Sequence, residues 1–540
     1  MKRQPSSLGG SRRKRLRAPF VFLTAVAAGG LAGSAHPPFG FLPGLLGYAV
    51  LLLLLDDADA DRPKRSAFFR GWAAGAGYLL ISTYWVAEAF FVDAARHGWM
   101  APFAVAALCG GIGLFWGAAG LLYRMLAGAR LDGRPVRPLV FAACFGLLEW
   151  LRGHVLTGFP WNLPGETFAA GSPMSQLASV FGSYGLSVLV LAVCSAPALL
   201  AQRASVVGKA AVAGFLAAAA LGGWAWGAAR LNTAPAAASD APLVRVIQPN
   251  VDQKDKWRPE NLDEIVATYA RLTTQPGARR PDIIVWPEAS IPAAANSFLN
   301  PASPQFQRIA DALQPGQILL LGAYRLEPGA TPTAPPVAYN SLIALQRTPG
   351  ALEPLAIYDK YRLVPFGEYL PFSWLLGPIG FGKMAQVSEG FEHGPRPAPI
   401  SLGSAPRVQP LICYESLYPG FVSSEGGRPQ WIVNVSNDAW FGRTSGPWQH
   451  LNIASYRAIE QGLPIVRATP TGVSAVVDAM GRPMSGAVLP IGAQGVIDRV
   501  LPPALEPTLY EQGGDLLFWL LIVGFGLTAA PGLTMSTKRR

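Results

Sequence analysis

Apolar residues crowd two parts of the chain, residues 18–230 and 515–533. Between them, about 240–510, they come in the short runs of an ordinary soluble domain. The first part divides into seven apolar segments, at about 19–35, 40–55, 67–92, 102–127, 138–151, 174–201 and 207–229. Several approach the ~20 residues that a helix needs to cross a bilayer. Segments 40–55 and 138–151 are short, and the second holds Glu149. A tilted or re-entrant path is open to either, and the count of seven depends on them. A further span, Leu516–Ala530, follows the polar region. The stretch 231–241 fits neither pattern and reads as a linker.

The polar region alternates strand-like and helix-like runs. Strands are expected at 243–248, 282–286, 318–324, 340–346, 356–360, 408–413, 431–435, 465–468 and 472–477. Helices are expected at 261–272, where Leu262, Ile265, Val266, Tyr269 and Leu272 share a face, and at 305–313 and 447–461. Sheets with helices on their faces give an α/β sandwich. The expected layout is a basic tail (1–17), a seven-span helical membrane bundle (18–230), the linker, a folded polar domain (242–510), and a last helix with its tail (511–540).

Composition supports the division. Of 540 residues, 51% are hydrophobic and only 14% charged, against roughly 25% charged in soluble proteins. The net charge of +11 does not point to nucleic acid, because of where it sits. Lys2, Arg3, Arg12, Arg13, Lys14, Arg15 and Arg17 precede the first apolar run, and Lys538, Arg539 and Arg540 end the chain. Further basic residues follow the second, fourth and sixth spans (Arg62, Lys64 and Arg65; Arg130, Arg134 and Arg137; Arg203 and Lys209). That alternation is the positive-inside pattern. It places both termini in the cytoplasm and the polar domain across the membrane. More apolar runs follow the first at once, so it is not a signal peptide.

Three of the four cysteines, Cys109, Cys144 and Cys194, lie in apolar runs as packed thiols, which leaves Cys413 alone in the polar domain and no disulfide framework there. Cys413 ends a strand that breaks into Tyr418-Pro419-Gly420. A nucleophile on such a turn is exposed, with the following backbone N–H groups facing the substrate. Glu288 ends the run Ile283–Pro287, and Lys360 follows Ile357-Tyr358-Asp359. A free thiol needs a base or a nearby cation to act at neutral pH. Glu288 suits the base, and Lys360 with the Tyr414 N–H suits a developing oxyanion. Acyl transfer through Cys413 is the chemistry this set fits. No zinc spacing exists, and His393 and His450, the histidines of this domain considered, form no triad motif. In the membrane part, Glu149 and Arg152 can pair at i,i+3. Phe159 and Trp161 read as an interfacial aromatic belt. The apolar Leu370–Met384 segment reads as an arm that dips into the interface and gates lipid entry, or as a core loop.

Trp286-Pro287-Glu288, Tyr358-Asp359-Lys360 and Cys413-Tyr414-Glu415 resemble the Glu-Lys-Cys motifs of the nitrilase superfamily. Spans on both sides, Glu149–Gly153 with Thr157–Trp161, and Val364–Tyr369 narrow the resemblance to the membrane-anchored apolipoprotein N-acyltransferase family. It covers nearly the whole chain. The resemblance implies a four-layer αββα domain on the periplasmic face of a bacterial inner membrane. It implies an acyl donor, a phospholipid, that acylates the cysteine. The acceptor is the α-amine of the N-terminal diacylglyceryl-cysteine of an apolipoprotein, and no cofactor is needed. Glu288 is then the base, Lys360 the oxyanion stabiliser and Cys413 the nucleophile. Glu368, Trp257, Tyr414 and Glu415 match supporting or substrate-proximal positions. Thr469-Pro470-Thr471-Gly472 departs from the Asn-rich turn expected of the family. A membrane-tethered amidase with water as acceptor, and a non-catalytic receptor on the same fold, are the alternatives.

Overall fold

The structure, a computed structural model, describes residues 8–127, 131, 133–329, 331–371, 374 and 390–530, with the backbone alone over 8–17. Helices run over Leu8–Gly33, Gly47–Asp56, Pro63–Thr83, Ala101–Ala127, Arg137–His154, Ala178–Ser195 and Val206–Leu231, and Leu516–Leu527 follows the polar domain. Among the described residues, four helical stretches are long and apolar enough to cross a membrane: Ala94–Ala127, Arg137–Thr157, Met174–Ala201 and Val206–Leu231. Ala18–Gly33, Leu42–Asp56 and Leu516–Leu527 are shorter apolar helices. Small residues let the bundle close. A Cβ on Gly71 would lie 2.3 Å from the Trp116 carbonyl oxygen, and one on Gly77 would lie 2.1 Å from that of Val26.

The expected segment 67–92 is not one continuous helix. The regular helix ends at Thr83 and gives way to a 3-10 turn, Tyr84–Ala87, and a single turn, Glu88–Phe91. Trp85 explains the break. Its indole N–H reaches both the Ser82 carbonyl at 2.9 Å and Gln449 Oε1 at 3.2 Å, so this end turns toward the polar domain.

The polar domain is built on twelve strands: β1 Leu243–Gln248, β2 Ile283–Trp286, β3 Ile318–Glu327, β4 Val337–Arg347, β5 Leu352–Asp359, β6 Ile400–Leu402, β7 Ala405–Ile412, β8 Trp431–Val435, β9 Ile465–Ala468, β10 Ser474–Val477, β11 Pro483–Leu489 and β12 Gly495–Val500. They form two six-stranded sheets, ordered β12-β1-β2-β3-β4-β5 and β11-β10-β9-β8-β7-β6. Side chains alternate across a strand. Ile283 and Val285 therefore face the second sheet, packing with Val433, Val435 and Val466. Ile284 and Trp286 face outward under the helix Leu262–Thr273. Helix Gly446–Gln461 covers the second sheet through Leu451 and Ala458 on Leu411 and Ile432. The result is a four-layer αββα sandwich.

Strands β6, β11 and β12 were not legible from periodicity. On β12 the pattern is broken by Asp498, which forms an ion pair with buried Arg245 of β1 at 2.6 Å. Strands β1, β2 and β3 run parallel, as do β7, β8 and β9. Parallel strands gather their C-terminal ends at one edge, where α/β folds place their sites. Glu288 and Cys413 follow two of those ends.

Helix Gly446–Gln461 has a second neighbour. Tyr456 and Ile459 pack on Ala178, Leu186 and Val190 of the bundle. Arg457, fully buried between the two parts, donates to Glu166 Oε1 (3.1 Å), Ser183 Oγ (2.7 Å), Glu460 Oε1 (2.9 Å) and the Leu417 carbonyl (2.7 Å). Removing one partner of a buried ion network leaves uncompensated charge and costs roughly 3–5 kcal/mol. Arg457→Met is expected to lower the thermal unfolding temperature of the detergent-solubilised protein by several degrees. An unchanged unfolding temperature would show that the domain and the bundle are not held together through this residue.

Candidate active site

Strand β7 delivers Cys413 to the first residue of a 3-10 turn, Cys413–Leu417. Its backbone is left-handed, φ 49°, as is that of Ala289 just after Glu288, φ 48°. Such conformations cost of order 1–3 kcal/mol and persist where the surroundings fix them. Here Glu415 does the fixing. One carboxylate oxygen accepts from the Ile412 N–H (2.7 Å). The other accepts from the Tyr358 hydroxyl (3.0 Å), the Tyr361 N–H (2.7 Å) and the Arg362 N–H (3.2 Å). The cysteine turn is thereby tied to the segment after Lys360. Burial raises the Glu415 carboxyl to about 7, against the pull of these bonds. Fully buried and bonded all round, Glu415 supports the turn and does not face substrate.

The Tyr414 hydroxyl donates to the Gly158 carbonyl at 2.7 Å, and the Tyr418 hydroxyl to the same oxygen at 3.0 Å. Gly158 lies in the loop after a membrane helix. Arg152 shapes that loop, donating to the carbonyls of Phe159 (2.7 Å) and Trp161 (3.0 Å). The expected Glu149–Arg152 pair is present and buried. Trp161 is not an interfacial residue, being 2% exposed and packed on Trp85. Its indole bonds Gln449 Oε1 at 2.9 Å, which draws it under the catalytic domain.

Glu288 sits at the centre of the polar cluster. Its Oε1 accepts from Asn340 Nδ2 (2.7 Å) and Lys360 Nζ (3.2 Å), and its Oε2 from the Asn437 N–H (2.7 Å). Lys360 Nζ also reaches Glu368 Oε1 at 2.9 Å, and Asn340 Nδ2 reaches the same oxygen at 2.7 Å. The Val364 N–H orients the other Glu368 oxygen (2.8 Å). Burial alone would lower the Lys360 ammonium, but the carboxylates of Glu288 and Glu368 hold it well above its ordinary value. It stays charged across all working pH. Burial, and then the negative charge of Glu288, push the Cys413 thiol up, while Lys360 and a hydrogen bond with Ser436 pull the other way. A resting thiol of this kind stays protonated at neutral pH. It needs a base at the moment of attack.

The structure therefore brings Glu288, Lys360, Cys413 and Glu368 into one cluster. Trp257 follows the turn Gln253–Lys256, its ring 6.4 Å from that of Tyr324. Among the described residues, His393 bonds its neighbour Gly394 and contacts the Tyr361 ring. His450 lies under the turn: Nε2 stands 3.0 Å from Ser416 Oγ and 3.3 Å from the Cys413 carbonyl, and Nδ1 is 2.9 Å from Asp438 Oδ1. Burial, with Arg467 nearby, lowers the His450 ring, so it is neutral there. Of the Leu370–Met384 arm, only Leu370, Pro371 and Trp374 are among the described residues, and Trp374 is exposed.

Sequence reasoning missed Asn340, Asn437 and Ser436. Asn437 and Ser436 end β8 as Glu288 and Cys413 end their strands, and that shared position was the available signal. Asn340 gave none, because it lies inside β4. In place of an Asn-rich turn, buried Thr469 donates to Gln248 Oε1 at 3.4 Å and the Pro470 carbonyl accepts from the Asn250 N–H at 2.8 Å.

Residues 28–196 match the family described as the apolipoprotein N-acyltransferase N-terminal domain, and residues 243–501 match the carbon-nitrogen hydrolase family. An apolipoprotein N-acyltransferase from Caulobacter vibrioides is 53% identical over 507 residues, covering 94% of this chain and 93% of its own. One from Rhizobium rhizogenes is 38% identical over 521 residues, covering 94% and 95%. Among solved structures, an amidase from Nesterenkonia sp. AN1 aligns with 52% of this chain and 98% of its own, at 17% identity and a TM-score of 0.33. A glutamine-dependent NAD+ synthetase from Acinetobacter baumannii aligns with 50% and 49%, at 16% identity and a TM-score of 0.31.

Proposed function

Because this chain belongs to the apolipoprotein N-acyltransferase family, an acyltransferase branch of the nitrilase superfamily, we propose that it moves an acyl chain from a phospholipid to the amino terminus of an apolipoprotein through Cys413. The observation that carries this reading is the Lys360 ammonium, held between Glu288 and Glu368 beside the cysteine turn. In the first half-reaction Glu288 takes the thiol proton while sulfur attacks the donor ester carbonyl. The oxyanion forms against Lys360 and the Tyr414 N–H. The carbon–oxygen bond then breaks, Glu288 returns the proton to the departing lysophospholipid oxygen, and a thioester remains. In the second half-reaction the acceptor's neutral α-amine attacks. Glu288 takes its proton, the carbon–sulfur bond breaks, and the thiol is restored.

Membrane placement supports the choice of lipid. Each buried CH₂ is worth ~0.8 kcal/mol, so a two-tailed donor does not leave the bilayer readily. The cysteine turn is bonded directly to a loop between bundle helices. We place the termini in the cytoplasm and the catalytic domain on the periplasmic side of a bacterial inner membrane, following the charge pattern.

Mass spectrometry of Cys413 tests the proposal. Incubation of the micelle-held protein with phospholipid should add one acyl chain, and a peptide bearing diacylglyceryl-cysteine should remove it faster than water does. Discharge by water alone would identify an amidase. A cysteine that never gains mass would identify a non-catalytic relative.

A further inference from the structure

Beside the Glu288 cluster lies a group of buried polar atoms that the transfer chemistry leaves unused. The turn Gln253–Lys256 follows β1, and its Gln253 and Lys256 are buried. Lys256 is 1% exposed, yet among the described residues its ammonium has no hydrogen-bond partner. Gln253 Nε2 and the indole N–H of Trp257 are unpartnered too, and so is one acceptor, Asn437 Oδ1. Two contacts link these residues in pairs. Gln253 Oε1 accepts from Asn437 Nδ2 at 3.3 Å, and Lys256 Nζ lies 6.0 Å from the centre of the Trp257 ring. They also adjoin the catalytic carboxylate, because the Asn437 N–H bonds Glu288 at 2.7 Å. Buried donors without partners are rare, and a buried unpaired charge is rarer. Three on one turn, tied to Glu288 through Asn437, describe a site suited to a ligand that only accepts.

We infer that Lys256, Gln253 and the Trp257 indole bind a phosphate group, that of the donor lipid's glycerol phosphodiester, while the neighbouring ester reaches Cys413. This rests on the phospholipid-dependent reading above and adds the recognition of the headgroup end. Phosphate oxygens match the donor set: one cation and two neutral N–H groups, none with a competing partner. The placement suits the chemistry: Gln253 reaches Glu288 through Asn437, and in a phospholipid the phosphate lies a short glycerol arm from the ester. Asn437 Oδ1 would face a hydroxyl or ammonium on the far side of the diester. Burial lowers the Lys256 ammonium to about 8, with Glu288 opposing, and a bound anion would raise it again.

The test compares donors on the full-length protein in micelles. Wild type should acylate Cys413 from phosphatidylglycerol with a KM well below that for diacylglycerol of the same chains. Lys256→Met should raise the phosphatidylglycerol KM roughly ten- to hundredfold, the effect of one charge-assisted bond. The preference over diacylglycerol should fall toward one, and Lys256→Arg should recover most of it. Glycerol phosphate should compete with the lipid in wild type but not in Lys256→Met. Inorganic phosphate competing as well as glycerol phosphate would assign the site to free phosphate. Equal loss with both donors would overturn the inference. So would normal acylation with slower discharge to the acceptor amine, which would give the cavity to the peptide. Phosphorus NMR keeps the two proposals apart. Glycerol phosphate should broaden with wild type and not with Lys256→Met, even if no donor ever acylates Cys413. An unbroadened signal would sink the site alone.

Discussion

Cys413→Ala is expected to abolish acyl transfer, by roughly 10⁴-fold or more, while the protein unfolds within a few degrees of wild type. Losing the nucleophile of a covalent mechanism typically costs that much, because no other group can carry the intermediate. The fold should tolerate the change for a specific reason. The strained turn at φ 49° is held by Glu415 and its four bonded groups, not by the thiol. Alanine keeps the same backbone and leaves a cavity of one sulfur atom. Ser436, which hydrogen-bonds the thiol, has a second partner in Asp438 Oδ1 at 2.7 Å. Intact-mass measurement after incubation with phospholipid reads the outcome. Acyl transfer to peptide at a normal rate would mean that the chain passes without touching this sulfur.

The reading from sequence located these groups because each ends an apolar strand run, and a polar residue there stands out. Cys413, Glu288 and Lys360 share that signature, and the sheets gather their ends. Glu149 with Arg152 was legible because i,i+3 spacing and membrane depth leave few alternatives. What the sequence could not convey is which polar residue faces in. Asn340 lies within a strand and looks like any polar interruption, yet it bonds both Glu288 and Glu368. Trp161 looked interfacial because aromatic residues at span ends usually are. Its burial depends on the domain placed above it by Arg457 and Gln449, a contact between residues almost 300 positions apart. The break after Thr83 has the same origin, since Trp85 turns to meet Gln449. Long-range contacts of this kind leave no periodic trace.

Lys360→Met should lose acyl transfer by about 10³-fold and should also destabilise the protein, by roughly 3–5 kcal/mol. The two effects have one cause. Lys360 is 1% exposed and bridges Glu288 at 3.2 Å and Glu368 at 2.9 Å. Without it the oxyanion loses its cation, and the buried Glu288 and part-buried Glu368 carboxylates share only neutral donors such as Asn340. A conservative variant separates this from a simple packing defect. In wild type the ammonium is held above its ordinary value. Its contribution is therefore complete below the unfolded value of about 10.4 and is lost only as pH rises through the higher folded one, so it is flat from pH 5 to 9. The unfolding-temperature deficit of Lys360→Met should therefore be the same at pH 5 as at pH 9, while activity stays absent. Lys360→Arg keeps a cation between the two carboxylates and should recover part of the lost stability. Glu288→Gln should lose activity about 10²- to 10⁴-fold as a missing base does, yet keep the ammonium on Glu368 and show a smaller deficit than Lys360→Met. A Lys360→Met deficit that Lys360→Arg does not reduce would show that the ammonium acts by filling space, and the charge argument for the whole cluster would fail with it.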